Sequence, residues 1–271
     1  MRNDPPPNDT PAAPQPQPIS GGTAPDVWAN LRQLTAARIG LARSGASLAT
    51  RPVLDMRLAH ARARDAVHER LDEAKLLNDL GHLGLPVLTV SSAVHDRQHY
   101  LMRPDLGRQL AADGELILVS QRDGGHDVVF VVADGLSARA VQQHARPVLA
   151  EVIPTLRSES WQLAPLIIVR NGRVAIGDAI AARLGVGIVV ALIGERPGLS
   201  SPDSMGAYLT WRPGPQTLDA DRNCISNIRP EGVGYADAAF KLTHMLRAIR
   251  SHRMSGVRLK DDSDRPLLGE R

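Results

Sequence analysis

Apolar residues follow two different spacings along this chain, and the change between them divides it. Over residues 26–85 they recur three and four positions apart, as on one face of a helix, with start signals at Asp26, Thr50 and Asp72. From Pro86 onward, short apolar runs alternate with longer helical patterns. The first region is therefore predicted to be helical and without strands, and the second to mix strands with helices.

The predicted strands of the second region are short runs rich in Val, Ile and Leu, bounded by Gly, Pro and Asp. They cover residues 87–90, 115–120, 128–132, 166–169, 188–193 and 208–211. Helices are predicted over 104–110, 138–156, 236–250 and from after Asp178 through Leu184, and turns at 43–47 and 123–125. Apolar strands alternating with helices indicate an α/β fold, a mostly parallel sheet with helices on both faces. The turn at 123–125 indicates one antiparallel neighbour.

Three segments are expected. Residues 1–25 are rich in Pro and polar residues and should stay disordered, as a passive tail or as one that serves interaction or encapsulation. Residues 26–85 form the small N-terminal helical region, and residues 86–271 form the α/β domain.

Composition excludes several classes of function. Aromatic residues make up only 3% of the 271 residues, which disfavours a base-stacking surface for single strands. The net charge of +3 comes from interleaved Arg and Asp/Glu rather than a basic cluster. The single cysteine, Cys224, excludes disulfides and cysteine-based zinc sites. The chain has neither an apolar run of about 20 residues, as a membrane helix needs, nor a secretory signal at its start.

A charged loop follows the predicted strand at 188–193, and it is the first place to look for a function. Glu195 and Arg196 stand there between Gly194 and Pro197. Ligands of open α/β folds bind at the carboxyl ends of strands. The two charges could pair within a structural loop or line a ligand site. The long, Pro- and Ser-rich continuation favours binding. No glycine-rich dinucleotide or NTP phosphate loop follows a strand.

Three further groups allow alternatives. His95 and His99 have metal-ligand spacing, but no third ligand is near and a surface role is favoured. Cys224 is a nucleophile, a packed thiol or a ligand-lining thiol. Residues 134–137 (Asp-Gly-Leu-Ser) form either a phosphate cradle or an ordinary strand-to-helix turn with Ser137 as N-cap.

Several segments, in this order, resemble one known family. They are residues 34–41, 43–45, 50–55, 60–67, 134–137, 192–199 and 221–229. Together they resemble the small (light) subunit of ethanolamine ammonia-lyase, an adenosylcobalamin-dependent enzyme. The resemblance covers about residues 26–261, and its ordered set is more specific than any single segment.

The resemblance implies a Rossmann-like domain that binds adenosylcobalamin against a large (β/α)₈ barrel subunit, which holds ethanolamine. The products are acetaldehyde and ammonia, formed through an adenosyl radical. Val174, Glu195 and Cys224 match the family positions that contact the cobalamin. Since substrate-handling residues belong mostly to the large subunit, no catalytic residue is expected in this chain.

Cobalt ligation and assembly complete these expectations. None of the nine histidines has Asp two residues before it, so the cofactor's own base is expected to stay on the cobalt, as the family also implies. The family implies several large–small pairs in one particle. Its members occur in the bacterial cytosol, often inside an ethanolamine-utilising microcompartment. The competing hypotheses are a non-catalytic small-molecule-binding or assembly module, and a thiol hydrolase that uses Cys224.

Overall fold

A computed structural model of the chain describes residues 28–122 and 125–263. The chain forms two compact units, which divide between Ala49 and Thr50. The predicted tail at 1–25, the helix cap at Asp26 and the turn residues Asp123 and Gly124 lie outside the described residues. The expected segment boundaries after residues 25 and 85 stay predictions.

The first unit contains a short helix, α1 (Ala29–Gln33), and a two-stranded hairpin, β1 (Arg43–Ser44) and β2 (Ser47–Leu48). Gly45 takes a φ of +61° between the two strands, a conformation that glycine adopts without strain. The predicted turn at 43–47 is confirmed. The expectation that this region has no strand is wrong, because the residues flanking the turn pair with each other.

The second unit contains the other helices and a six-stranded sheet. In chain order its elements are α2 (Thr50–His68), α3 (Glu73–Gly81), β3 (Val87–Ser91), α4 (Arg97–Met102), α5 (Ala112–Ser120), β4 (Val128–Ala133), α6 (Ala138–Ser158), β5 (Leu166–Arg170), α7 (Ile176–Leu184), β6 (Ile188–Gly194), β7 (Met205–Trp211), β8 (Arg222–Ile228) and α8 (Tyr235–His252). Asp72 is the predicted cap of α3, and its carboxylate accepts the Lys75 N–H at 3.0 Å.

The sheet has the strand order β3-β5-β4-β6-β7-β8. The first four strands pair in parallel, and β7 and β8 are added antiparallel. Every residue of β4 and β6 is buried, as expected for central strands of a sheet covered on both sides. The predicted α/β fold, with a mostly parallel sheet between helices, is confirmed.

Two hydrophobic cores lie on opposite faces of the sheet, because successive strand residues point to opposite sides. Phe130 and Val132 of β4 belong to the first core with the apolar stripes of α6 and α8, whereas Val129 and Val131 belong to the second core with α7. Leu118 of α5 lies in the second core as well. The two layers of helices follow from this alternation.

The predicted strand at 115–120 is wrong, since these residues form most of α5. A short apolar run fits a strand or a helix equally well, and tertiary packing decides. Gly114 and Leu118 are four residues apart and both buried. A Cβ on Gly114 would lie 3.1 Å from the Val90 Cβ, so α5 packs closely on β3.

Two other predictions also need correction. The antiparallel strands are β7 and β8, not a hairpin around 123–125, and β8 itself had no predicted strand. The expected helix at 104–110 is a single 3₁₀ turn, Leu106–Arg108. No helix within residues 28–122 and 125–263 is long and apolar enough to cross a membrane.

Candidate functional site

Glu195 directly follows β6, as expected for a residue at the carboxyl end of a buried strand. Its backbone N–H donates to the Ser204 carbonyl at 2.9 Å, which closes the base of the loop. Its carboxylate reaches across to β8. Oε1 accepts the Ser226 hydroxyl at 2.5 Å, and Oε2 accepts the Asn227 N–H at 3.2 Å. The carboxylate is thus oriented by two donors of one strand.

A β-bulge creates this arrangement. Met205 pairs with Ile228 and Ala207 with Ile225, so Gly206 alone stands opposite two residues of β8. In a bulge the extra residue leaves the ladder, and here the N–H of Asn227 is used by Glu195 instead. Asn227 has a φ of +59°, a left-handed conformation that Asn tolerates better than most residues.

Gly206 leaves the space that the Glu195 carboxylate occupies. A Cβ at this position would lie 2.8 Å from Glu195 Oε1 and 3.1 Å from Tyr208 Cε2. Both side chains therefore approach one point above the glycine. A larger residue would have to displace the carboxylate.

Cys224 lies on the same side of the sheet as Tyr208, since the two are directly paired across β7 and β8. Tyr208 packs against the second core and is half-buried, whereas Cys224 and Ser226 are exposed. Glu195, Tyr208, Cys224 and Ser226 together form one surface, called here the open face. It combines a carboxylate acceptor with hydroxyl and thiol donors.

The protonation states on the open face follow from partial loss of hydration. The Cys224 residue is exposed overall, but the groups packed around its sulfur remove part of its hydration and raise the thiol pKa; Tyr208 opposes this shift, and the Glu195 charge adds to it. Burial likewise raises the pKa of Tyr208 well above its usual range. Both groups are neutral near pH 7. A nucleophilic cysteine needs the opposite shift, so the structure disfavours the hydrolase hypothesis.

A buried ion pair lies two residues before Cys224 on β8. Arg222 donates from Nη1 and Nη2 to the two carboxylate oxygens of Asp178, each at 2.7 Å, and from Nη1 to the Thr210 hydroxyl at 3.1 Å. The Arg222 side chain is only 4% exposed. Because Asp178 is in the first turn of α7, this pair ties the helix to the antiparallel edge of the sheet.

Val174 lies between β5 and α7, and it is half-buried against the same core as Tyr208. Asn171, at the end of β5, has a φ of +53°, and the Arg173 N–H donates to the Gly107 carbonyl at 2.7 Å. Strands β5 and β6 are separated only by β4, which places their ends roughly 10 Å apart. The structure thus brings Glu195 and Cys224 together, and it packs Val174 against the core that Tyr208 also contacts.

The loop at 134–137 supports β6 instead of forming an open cradle. The Leu136 N–H donates to the Gly194 carbonyl at 2.9 Å, and a Cβ on Gly135 would lie 2.3 Å from that oxygen. Ser137 occupies the cap position of α6, but its hydroxyl donates to the Pro202 carbonyl at 3.0 Å, away from the helix. Residues 134–137 therefore form the ordinary strand-to-helix turn, with Ser137 at the N-cap position of α6. The expected capping hydrogen bond to the Ser137 hydroxyl is wrong.

Asp134 is the buried acid of this loop. Its carboxylate lies 3.5 Å from Arg97 Nη1 and accepts the Gly172 N–H at 3.2 Å. Burial raises the pKa of Asp134 to about 6, although Arg97 and neighbouring backbone N–H groups oppose the shift. Asp134 follows β4, Arg97 belongs to α4 and Gly172 follows β5. These contacts therefore hold the carboxyl ends of two strands and the start of one helix together at the edge of the sheet.

The other candidates do not join the open face. His95 and His99 stack with ring centroids 5.2 Å apart, and in the described part of the chain no group of three His, Cys, Asp or Glu could hold a metal ion. Arg196 is exposed and makes no hydrogen bond or ion pair with any described residue. Sequence reasoning missed Gly206, Tyr208, Ser226 and Asn227. The last two lie within the matched segment 221–229, close to Cys224, and only that proximity could have indicated them.

Comparisons with known proteins show the family of this chain. A family model described as ethanolamine ammonia-lyase light chain matches residues 25–260. The ethanolamine ammonia-lyase small subunit of Ralstonia nicotianae is 52% identical over 244 residues, which cover 89% of this chain and 90% of that protein. The protein of the same name from Azotobacter vinelandii is 51% identical over 240 residues, covering 88% and 89%. The chain therefore belongs to the family of ethanolamine ammonia-lyase small subunits, or light chains, and is a subunit of that lyase.

Proposed function

We propose that the chain binds adenosylcobalamin, base-on, on the open face of β7 and β8, at its contact with the large barrel subunit. The observation that carries this proposal is the Glu195 carboxylate, which Ser226 and Asn227 hold in place beside an exposed thiol. The particle is proposed to contain several large–small pairs. Placement in the bacterial cytosol, or in a microcompartment, stays a prediction from the family resemblance.

The donors and acceptors of the open face suit the rim of a corrin, which carries primary amides. A carboxylate offers about four lone-pair sites, and two of those on Glu195 are used by β8. The remaining sites can accept amide N–H groups. The neutral Cys224 thiol lines the same surface, and Val174 offers backbone groups and an apolar side chain nearby.

In this proposal the chain binds and orients the cofactor and does not carry the catalytic groups. When bound, adenosylcobalamin would supply the radical chemistry for converting ethanolamine to acetaldehyde and ammonia. Glu195 fixes the cofactor rim, and the ion pair of Arg222 with Asp178 keeps the underlying sheet edge in register.

Reconstitution tests the proposed function. The purified chain alone should form no acetaldehyde from ethanolamine, and activity should appear only when the large subunit and adenosylcobalamin are both added. The measurement is acetaldehyde release, followed together with cofactor retention by the complex. An inactive three-component mixture that also fails to retain cobalamin would leave the assembly-module hypothesis in its place.

Cys224→Ala distinguishes the hydrolase hypothesis within the same experiment. Under our proposal the variant complex keeps its lyase activity at saturating cofactor and only binds cobalamin more weakly. A thiol hydrolase would lose its hydrolytic activity completely. Cys224→Ser, which retains a small donor, serves as the matched control.

Gly206→Ala should weaken cobalamin binding while the chain still folds. The added methyl group would overlap Glu195 Oε1 at the far end of a side chain, so we expect the carboxylate to leave its bonds with Ser226 and Asn227 while the backbone stays in place. We expect the apparent Kd of the complex for adenosylcobalamin to rise about tenfold, equivalent to one charge-assisted hydrogen bond. The measurement is a spectrophotometric titration.

Gly214→Ala is the control for this exchange, because a Cβ at Gly214 meets no atom within 4 Å. Its Kd should equal that of the unmodified complex. If the Gly206→Ala complex bound adenosylcobalamin as tightly as the unmodified complex, the free space above Gly206 would not be needed for cofactor binding.

A further inference from the structure

Tyr208 lies on the open face next to Glu195 and Cys224, and the proposed function does not yet use its hydroxyl. It pairs directly with Cys224 across the two antiparallel strands. One ring edge approaches the position above Gly206, where the Glu195 carboxylate also lies. Its other contacts are with the second core, against which Val174 packs as well. Tyr208 therefore adjoins Glu195 and Cys224, two of the three positions that the family resemblance marks.

The side chains of Tyr208 and Glu195 are complementary in hydrogen bonding. The phenol stays protonated over the whole physiological range, because burial raises its pKa and the nearby Cys224 and Glu195 raise it further. It is therefore a permanent donor. The Glu195 carboxylate, with two donors from β8, still has acceptor sites left. A donor and an acceptor thus flank Gly206 on an exposed surface.

A primary carboxamide is the group that this pair matches. Its NH₂ donates to a carboxylate, and its carbonyl accepts from a hydroxyl. A phosphate or carboxylate ligand would instead be repelled by Glu195. Cys224, which is paired with Tyr208 across the strands, offers the tyrosine hydroxyl only a sulfur atom, a weak acceptor. An amide carbonyl can replace it at little cost.

We propose that Tyr208 contacts the cofactor directly and that Tyr208 and Glu195 together bind one primary carboxamide of the corrin rim. The carboxylate of Glu195 accepts the amide N–H, and the hydroxyl of Tyr208 donates to the amide carbonyl. This inference rests on the proposed cobalamin binding and extends it to the group recognised. It also accounts for the glycine at position 206 of β7. A side chain there would occupy the space in which the Glu195 carboxylate and the Tyr208 ring edge approach each other.

Tyr208→Phe in the assembled large–small complex tests the contact. It removes one hydroxyl and keeps the ring, so the apparent Kd for adenosylcobalamin should rise roughly three- to tenfold, as for one neutral hydrogen bond. Tyr235→Phe is the matched control, because its hydroxyl contacts His144 elsewhere and the Kd should not change. Equal Kd values for the Tyr208→Phe and unmodified complexes would overturn the inference.

Modified cofactors test the group that is recognised. The probes are cobalamins in which a single rim amide has been hydrolysed to a carboxylate, used as separate regioisomers. One regioisomer should bind the unmodified complex at least tenfold more weakly than cobalamin, through repulsion by Glu195, and Glu195→Gln should reduce this discrimination. Equal binding of all regioisomers would overturn the inference. Failure of the unmodified complex to bind cobalamin itself would instead refute the proposed function.

Discussion

Glu195→Ala should raise the apparent Kd of the large–small complex for adenosylcobalamin roughly ten- to a hundredfold. A hydrogen bond to a charged acceptor contributes about 1.5–3 kcal/mol, and the variant removes that acceptor from the open face. It also leaves the Asn227 N–H at the bulge without its partner. The measurement is a titration of the purified complex by absorbance or equilibrium dialysis.

Assembly should survive this exchange, since Glu195 bonds within its own chain and lies at a loop start. Size-exclusion chromatography of the complex checks that point. Glu195→Gln keeps the shape without the charge and should bind with intermediate affinity. Ser226→Ala leaves the bond from Asn227 to Glu195 in place and should have a smaller effect. An unchanged titration for Glu195→Ala would contradict the proposed contact.

Arg222→Ala should lower the free energy of unfolding by about 3–5 kcal/mol. Removing one member of a buried ion pair leaves the other charge without compensation. Here that charge is Asp178, whose side chain is 12% exposed and which accepts two hydrogen bonds from the guanidinium. The measurement is urea unfolding of the isolated chain, read as a shift in midpoint at constant slope.

A second arginine pair on the same helix provides the control. Arg183 of α7 bonds Glu115 at 2.9 Å, but both side chains are more than 40% exposed. Exposed pairs contribute about 0–1 kcal/mol, so Arg183→Ala should barely move the midpoint. If Arg222→Ala and Arg183→Ala had the same small effect, the buried pair would not hold α7 to the sheet. Replacing Arg222 and Asp178 together with apolar residues should recover much of the loss.

The elements predicted correctly from sequence are those that are buried along one face only or on both faces. Helices α6 and α8 carry apolar residues at helical spacing because each buries one stripe against the first core. Strands β4 and β6 are apolar throughout because helices cover both of their faces. In both cases the spacing of apolar residues along the chain matches the faces of the element that are buried. The element can therefore be recognised from the sequence without knowing the fold.

The errors occur where distant residues decide the structure. Helix α5 has an apolar run that fits either element, and its packing on Val90 decides in favour of the helix. Strand β8 has core-facing residues at Ile225 and Ile228 but polar ones between them, since its other side is the open face. The bulge opposite Gly206 breaks the alternation that would have indicated a strand.

The sequence by itself determined the fold class, the family and the position of Glu195 at a strand end, because these depend on local pattern and on matching residues. Only the tertiary structure decided that Glu195 lies beside Cys224 and Tyr208. That proximity needs two antiparallel strands, a bulge and a glycine at the crossing point, which come from segments up to 32 residues apart. Such contacts are set by the pairing of whole strands, and no short stretch of the chain encodes them.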